Sequence, residues 1–239
     1  MALVDRDPLV EQTAAEAGAL ALGADVTDPA ALDSAVSATV DRFGGIDVAV
    51  AGAGIVGQAL PIEQIEPRDF EGVLEVNLLG VWRTLRATLP HVVERRGYLL
   101  PIASIAAALP SPLLNAYGVS KAGVEALGRA LRMELAHTGT RVGVAYFGIV
   151  DTDLVREATA QPAIARTREM LPGLVNRQLP VSAAGKAIVR GIERRSSTVY
   201  APWWVPALLA TRGLQGPLEA VLGRNRRLVE AYRTADRER

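Results

Sequence analysis

Residues 97–104 read Gly97-Tyr98-Leu99-Leu100-Pro101-Ile102-Ala103-Ser104, and a second stretch soon after reads Tyr117-Gly118-Val119-Ser120-Lys121. The first is an apolar run of strand length, Gly97 to Ala103, that ends on a hydroxyl. Apolar residues at both odd and even positions describe a strand buried on both faces, as in a parallel sheet. The second stretch falls within a predicted helix over residues 113–137. A doubly buried strand that leads into a long helix predicts an α/β architecture.

The pattern repeats in both directions. Ile46 to Ala51 is another near-continuous apolar run, predicting a second doubly buried strand. A long helix is expected from Pro67 through Val73, Val76, Leu79 and Leu85 towards Val93. Further upstream, Leu32, Val36, Val40 and Phe43 recur at helical spacing and predict one buried stripe. Thr27 or Asp28 can cap that helix ahead of Pro29, and Gly44-Gly45 ends it. Ala2-Leu3-Val4 and Leu20-Ala21-Leu22 read as strands flanking a helix over 8–18. Downstream, a strand is expected over Arg141 to Phe147, a helix over Ser182 to Arg195 and a short strand over Thr198 to Tyr200. Residues 151–180, rich in Thr, Pro, Arg and Gln, read as a loop with short helices, and the tail from Pro206 as helical with an arginine-rich end. Alternating strands and helices imply right-handed crossovers and a doubly wound, mostly parallel sheet covered on both faces. No repeat or linker divides the chain. One domain over 1–239 is expected, with a loop region at 151–180 and a C-terminal extension at 202–239.

Composition narrows the function classes. The chain has 239 residues, 49% of them hydrophobic, enough for one substantial core. Lys+Arg and Asp+Glu balance at 26 each, so no basic excess favours a nucleic-acid partner. The absence of cysteine excludes disulfides and thiolate metal sites, and no metal site is expected. No signal-peptide pattern and no apolar run of bilayer length is evident, so a cytoplasmic protein without a transmembrane segment is the expectation. Of the basic residues only Lys121 and Lys186 are lysines. A lysine in so arginine-rich a chain is informative, because ammonium and guanidinium are not chemically interchangeable.

One motif reads as misleading. Gly52-Ala53-Gly54-Ile55-Val56-Gly57 fits G-x-G-x-x-G after a strand. A pyrophosphate loop would need a helix to start at once, with an acidic residue closing a second strand about twenty positions on. Gln58-Ala59-Leu60-Pro61 follows instead. The favoured reading is a glycine-rich strand end that lets a neighbour approach closely.

Tyr117 and Lys121, four apart, share one helical face. A phenol is a weak base near neutral pH, and a nearby ammonium favours its ionised form. The alternative is an ordinary amphipathic helix with a surface lysine and a half-buried tyrosine. Ser104 lies past the carboxyl end of a strand, where ligands bind in parallel sheets, and its hydroxyl can donate to a carbonyl oxygen. It also fits a turn. Asn77, in an otherwise apolar helix, needs buried partners from helix packing or from a polar network. Gly148 to Thr152 follows a strand and either meets a cofactor through backbone groups or simply turns.

Taken together, Asp25-Val26, Asn77-Leu78-Leu79-Gly80, Ser104, Tyr117 with Lys121, and Gly148 to Thr152 resemble the classical short-chain dehydrogenase/reductase family in order and spacing, over residues 1–200. The resemblance implies a Rossmann-like fold and a NAD(P)-dependent oxidoreductase that interconverts an alcohol and a ketone or aldehyde. It makes Tyr117 the general acid/base, with Lys121 lowering its pKa and holding the nicotinamide ribose. Ser104 then steadies the reacting oxygen and Asn77 supports a proton-relay water. It further implies cofactor contacts at Asp5, Arg6, Asp25, Val26, Ala51, Gly52, Tyr117, Lys121, Gly148, Val150 and Thr152. Asp5 favours NAD, while Arg6 leaves NADP open.

Three departures stand out. Ala51-Gly52-Ala53-Gly54 replaces the family's Asn-Asn-Ala-Gly, and Phe147-Gly148 replaces its Pro-Gly. The family's first strand and T-G-x-x-x-G-x-G loop have no counterpart, because Met1 opens on its second strand. An upstream segment outside this sequence is the expected explanation. A catalytically impaired remnant acting as a binding or regulatory module is the competing function. The resemblance also implies a homodimer or homotetramer through the helices that carry Trp82 and the Tyr117 motif. A hydrophobic small-molecule alcohol or carbonyl substrate is one reading of Pro202-Trp203-Trp204-Val205-Pro206 with Leu208, Leu209 and Leu214. Core packing, membrane-surface contact and subunit contact are the others.

Overall fold

The structure, a computed structural model, describes residues 1–169, 171–212 and 216. Seven strands are formed among the described residues: β1 (Ala2–Asp5), β2 (Leu20–Gly23), β3 (Val48–Ala51), β4 (Tyr98–Pro101), β5 (Arg141–Val142), β6 (Val144–Phe147) and β7 (Thr198–Ala201). Every strand pair among them is parallel. The doubly wound α/β expectation holds. The predicted strand over 141–147 is interrupted at Gly143, where a side chain would meet the Tyr98 hydroxyl and the Ser196 carbonyl. β4 pairs with β5 on one stretch, and further along the Ala103 amide donates to the Ala145 carbonyl at 2.8 Å. β3, β4, β5/β6 and β7 therefore lie side by side, while β1 pairs with β2 in a separate ladder.

β4 shows how alternation builds the layers. Leu99 points into the larger core with Val81, Leu85, Val92 and Val124, from α4 (Val81–Glu94) and α5 (Asn115–Glu134). Tyr98 and Leu100 point the other way, towards Ala187 of α9 (Val181–Glu193) and Val199 of β7. One strand supplies both cores because successive side chains leave opposite faces. β3 departs from its expected double burial, since Val50 is 40% exposed.

The remaining helices are α1 (Leu9–Ala17), α2 (Pro29–Phe43), α3 (Pro67–Leu74), α6 (Asp153–Ala160), α7 (Pro162–Glu169), α8 (Gly173–Asn176) and α10 (Val205–Ala210). α2 starts where Asp28 accepts from the amides of Ala30 and Ala31, and it ends at Gly44 in the left-handed conformation, φ 76°. Leu32 of its predicted stripe is buried, but Phe43 is exposed, with the Arg42 guanidinium 5.4 Å above its ring. Phe43 is the last residue of α2 before the Gly44 cap, so the buried stripe ends ahead of it. The single helix expected from Pro67 to Val93 is instead α3 and α4 joined by a π-helical turn, Glu75–Gly80. Such turns displace the residues they carry from regular α-helical register, and this one carries Asn77. Residues 151–180 form the expected short helices α6 to α8. α10 begins the predicted helical tail, and most of that tail beyond Arg212, Leu214 and the arginine-rich end included, lies outside the described residues. No helix among the described residues is long and apolar enough to cross a membrane.

Leu99 is fully buried where strand and helices meet. Leu99→Ala is expected to cost about 3 kcal/mol of unfolding free energy through lost burial and the cavity left behind. Urea denaturation checks this through a lower midpoint at unchanged slope.

Candidate active site

The carboxyl end of β4 is where the polar residues converge. Ile102 and Ala103 continue the chain past β4, and Ser104 caps a 3-10 turn, Ile105–Ala107, by accepting from the Ala106 amide at 3.2 Å. α5 crosses that strand end. Its buried face carries Ser120, Lys121, Val124 and Glu125. Lys121 is 4% exposed, and its Nζ donates to the Ile102 carbonyl at 3.0 Å. The same Nζ lies 5.7 Å from the centroid of the Tyr117 ring. The Ser104 hydroxyl lies close enough to the Tyr117 phenol to favour its ionised form. Serine, phenol and ammonium thus meet around one small region.

Asn77 joins them from the π-helical turn. It is fully buried, and its Nδ2 donates to Ser120 Oγ at 3.1 Å and to the Ile55 carbonyl at 2.8 Å. Its Oδ1 accepts from the Ile55 amide at 2.7 Å. Ser120 Oγ donates in turn to the Tyr117 carbonyl at 2.7 Å. Sequence reasoning gave Ser120 no role. The signal available was a hydroxyl on the buried face of the helix, next to Lys121. Gly54 completes the contact: a Cβ there would sit 3.3 Å from Asn77 Oδ1 and 3.5 Å from Lys121 Nζ. Residues 52–61 form no helix, so this stretch behaves as a close-approach glycine segment and not as a phosphate loop.

Burial governs the electrostatics. Desolvation raises the Tyr117 phenol above its ordinary value, and the Ser104 hydrogen bond pulls the other way. The residue as a whole keeps some exposure, but its phenolic end is desolvated. This reverses the expectation that Lys121 sets the phenol low. At 5.7 Å from the ring, with its nearest bond to a carbonyl, the ammonium does not overcome the loss of water. Lys121 is itself pushed down by burial, to about 8.

The residues expected to hold a cofactor lie at or beyond the carboxyl ends of the strands. Asp5 ends β1 and accepts from the Asp7 amide at 3.0 Å. Arg6 reaches Asp25 across 3.4 Å in an exposed pair worth little by itself. Asp25 is held below its ordinary value mainly by the Thr27 amide and hydroxyl. A cavity of about 400 Å³ is lined by Asp5, Arg6, Glu11 and Gly23. Val26 packs on Gly80, where a Cβ would come within 2.5 Å of Val26 Cγ2. That contact ties the β2 edge to the turn carrying Asn77. Ala51 is buried at the end of β3, and Gly52 follows it beside Ile102. Gly148 lies against Pro202, Val150 bridges to Leu179, and Thr152 caps α6. The Thr152 hydroxyl is therefore already engaged, with the Val155 amide and the Val150 carbonyl. A second cavity, of about 340 Å³, runs along Ala107, Leu109, Ser111, Val119 and Ala122 and is not lined by Ser104, Tyr117 or Lys121.

The aromatic pair near the C-terminus divides. Trp204 and Val205 are buried in the larger core, with Leu208 and Leu209 packed on it, whereas Trp203 is 77% exposed. Trp204 is a core residue, because the chain turns into α10 at that point. Behind the site, Glu125 of α5 accepts both terminal nitrogens of Arg212 and lies near Arg129 and Tyr146. A carboxylate one turn beyond Lys121 on the apolar face of the helix was the sequence signal for this buried pair.

The family model for short chain dehydrogenase matches residues 2–163, and the chain belongs to that family. A curated relative, 2-(R)-hydroxypropyl-CoM dehydrogenase of Xanthobacter autotrophicus, is 33% identical over 61% of this chain and 59% of its own length. The 3beta-hydroxysteroid dehydrogenase 1 of Eggerthella lenta is 34% identical over 71% of this chain and 67% of its own length. The chain thus spans about three fifths to two thirds of the length of these relatives. A 3-ketoacyl-(acyl-carrier-protein) reductase from Brucella melitensis, solved with NADH, superposes with a TM-score of 0.74 at 30% identity, covering 84% of this chain and 85% of that one.

Lys121 and Lys186 are the only lysines, so a protein grown on ¹³C-lysine gives two side-chain signals. One is expected to titrate with a midpoint of about 8. Because that lies below the ordinary 10.5, the buried ammonium costs stability while charged. This component of stability rises with pH from about 8 towards 10.5. If neither signal titrates clearly below 10.5, the burial argument for Lys121 is wrong.

Proposed function

We propose that the protein is a NAD(P)-dependent oxidoreductase that interconverts an alcohol and a ketone or aldehyde, with Tyr117 as general acid/base. The observation that carries this reading is the convergence of Ser104 and the buried Lys121 on the Tyr117 phenol, with the Lys121 Nζ 5.7 Å from the ring centroid. In the reducing direction the Ser104 hydroxyl and the phenol both address the substrate oxygen. As the carbonyl carbon is reduced, the Tyr117 proton passes to that oxygen and gives the alcohol. A phenol kept protonated by burial is suited to donate. Lys121 and Asn77 are positioned to restore the proton, Lys121 through its ammonium and Asn77 through a relay water. A nicotinamide cofactor, when bound, supplies or accepts the hydride.

The residues present fit the adenosine end of such a cofactor, where Asp5 and Arg6 border the cavity at the end of β1. Asp5 favours NAD over NADP, since a carboxylate repels a 2′-phosphate. Ala51, Gly52, Gly148, Val150 and Thr152 would line the rest through backbone groups, Asp25 and Val26 would border the adenine, and Lys121 would meet the ribose. Among the described residues no glycine-rich turn leads from a strand directly into a helix, so phosphate contacts are assigned to none of them. Residues 151–180 would border the substrate. Exposed Leu79 of the π-helical turn, Trp82 of α4 and Val119 of α5 support self-association through this face.

Tyr117→Phe is expected to lower carbonyl reduction roughly a hundredfold to ten-thousandfold while leaving NADH binding unchanged, as read by nicotinamide fluorescence. Asp5→Ala is expected to shift preference towards NADPH by about tenfold, roughly 1.4 kcal/mol. If neither this chain nor one extended upstream binds NADH, the oxidoreductase reading gives way to a non-catalytic binding module.

A further inference from the structure

Residues 52–61 form neither helix nor strand, so their backbone groups must find partners elsewhere. Two side-chain carboxamides provide them. Asn77 holds Ile55 at both its amide and its carbonyl, at 2.7 and 2.8 Å. Gln161 repeats this a few residues later. The Ala59 amide donates to Gln161 Oε1 at 2.7 Å, and Gln161 Nε2 donates to the Gly57 carbonyl at 3.1 Å. Gly57 turns the chain at φ 81°, where a Cβ would come 2.7 Å from Val73 Cγ2, so the segment is pressed against α3 with little slack.

Gln161 stands at the junction of α6 and α7, in extended backbone. Just beyond it, Ala163 and Ile164 bury against Ala59 and Leu113 in a small core of their own. The Leu60 amide donates to the Leu113 carbonyl at 3.1 Å, closing the same cluster. The five residues from Ile55 to Ala59 are therefore strung between a carboxamide in the reaction centre and one in the α6–α7 region.

We propose that Gln161 is a positioning residue that couples α6 and α7 to Asn77 through residues 55–59. The seating of these two helices then fixes how the Asn77 carboxamide is held. A substrate that presses on α6 or α7 acts on Asn77 through the same segment. The kinetic part of this proposal rests on the oxidoreductase reading, and the structural part does not.

Gln161→Met keeps the length of the side chain but removes its strong donor and acceptor. In the full-length chain, amide hydrogen exchange at Ala59 and at Ile55 is expected to speed up roughly tenfold. For reduction of a ketone by NADH, kcat is expected to fall roughly tenfold, and not KM alone. Gln161→Glu, which keeps the acceptor for the Ala59 amide, should restore part of both. An Ile55 amide as protected in Gln161→Met as in the wild type overturns the coupling, and so does a change confined to KM. If Gln161→Met does not fold, Gln161→Glu carries the comparison. Its loss of the Gly57 bond must then raise exchange at Ile55, or the coupling fails. A wild-type chain without turnover refutes the oxidoreductase reading instead, and exchange at Ile55 still decides the coupling.

Discussion

The Lys121 ammonium donates to the Ile102 carbonyl, and the geometry of the site follows from that one bond. A buried ammonium without a partner is costly, so the bond fixes both the depth and the rotation of α5 over the end of β4. Once α5 is set, Tyr117, one turn earlier on the same face, lies beside Lys121. Ser104 follows Ile102 by two residues and meets the phenol. Gly54 packs closely on the pair, since a Cβ there would lie 3.3 Å from Asn77 Oδ1 and 3.5 Å from Lys121 Nζ. The site is the place where one helix locks onto one strand end.

The same burial that orders these groups shapes their chemistry. Removing water raises the phenol and lowers the ammonium to about 8, so the ammonium gives up its proton well before the phenol does. A protonated phenol, a neighbouring serine and an amine lowered to about 8 are gathered at one point, as the proposed proton transfer requires. Asn77 and Ser120 brace it from behind, since each polar atom they bury is spent on a neighbour within the site.

The architecture separates the residues proposed to bind from those proposed to react. β1 and β2 form their own ladder and carry Asp5, Arg6, Asp25 and Val26, while the larger run of strands carries Ser104 and underlies α5. The packing of Val26 on Gly80 connects the two groups. On the far side of α5, the Glu125–Arg212 pair fastens the segment after α10 to the helix that bears Tyr117 and Lys121. Family membership accounts for the shared frame.

Alternation and apolar runs along the chain were enough to determine a parallel α/β fold, the strand ending at Ser104, the long helix bearing Tyr117 and Lys121, and the capped start of α2. These are local consequences of residue type and spacing, and each is satisfied within a few residues of where it is written. The sequence could also single out Asn77, because an amide in an apolar helix must find partners. Tertiary structure alone decided who those partners are, since Ile55 and Ser120 lie 22 and 43 residues away. It alone broke the helix at Glu75–Gly80, exposed Phe43, buried Trp204 and joined Gln161 to Gly57 and Ala59. It also reversed the expected direction of the Tyr117 shift. Spacing reports that a phenol and an ammonium share a face, but how much water each has lost is a property of everything packed around them.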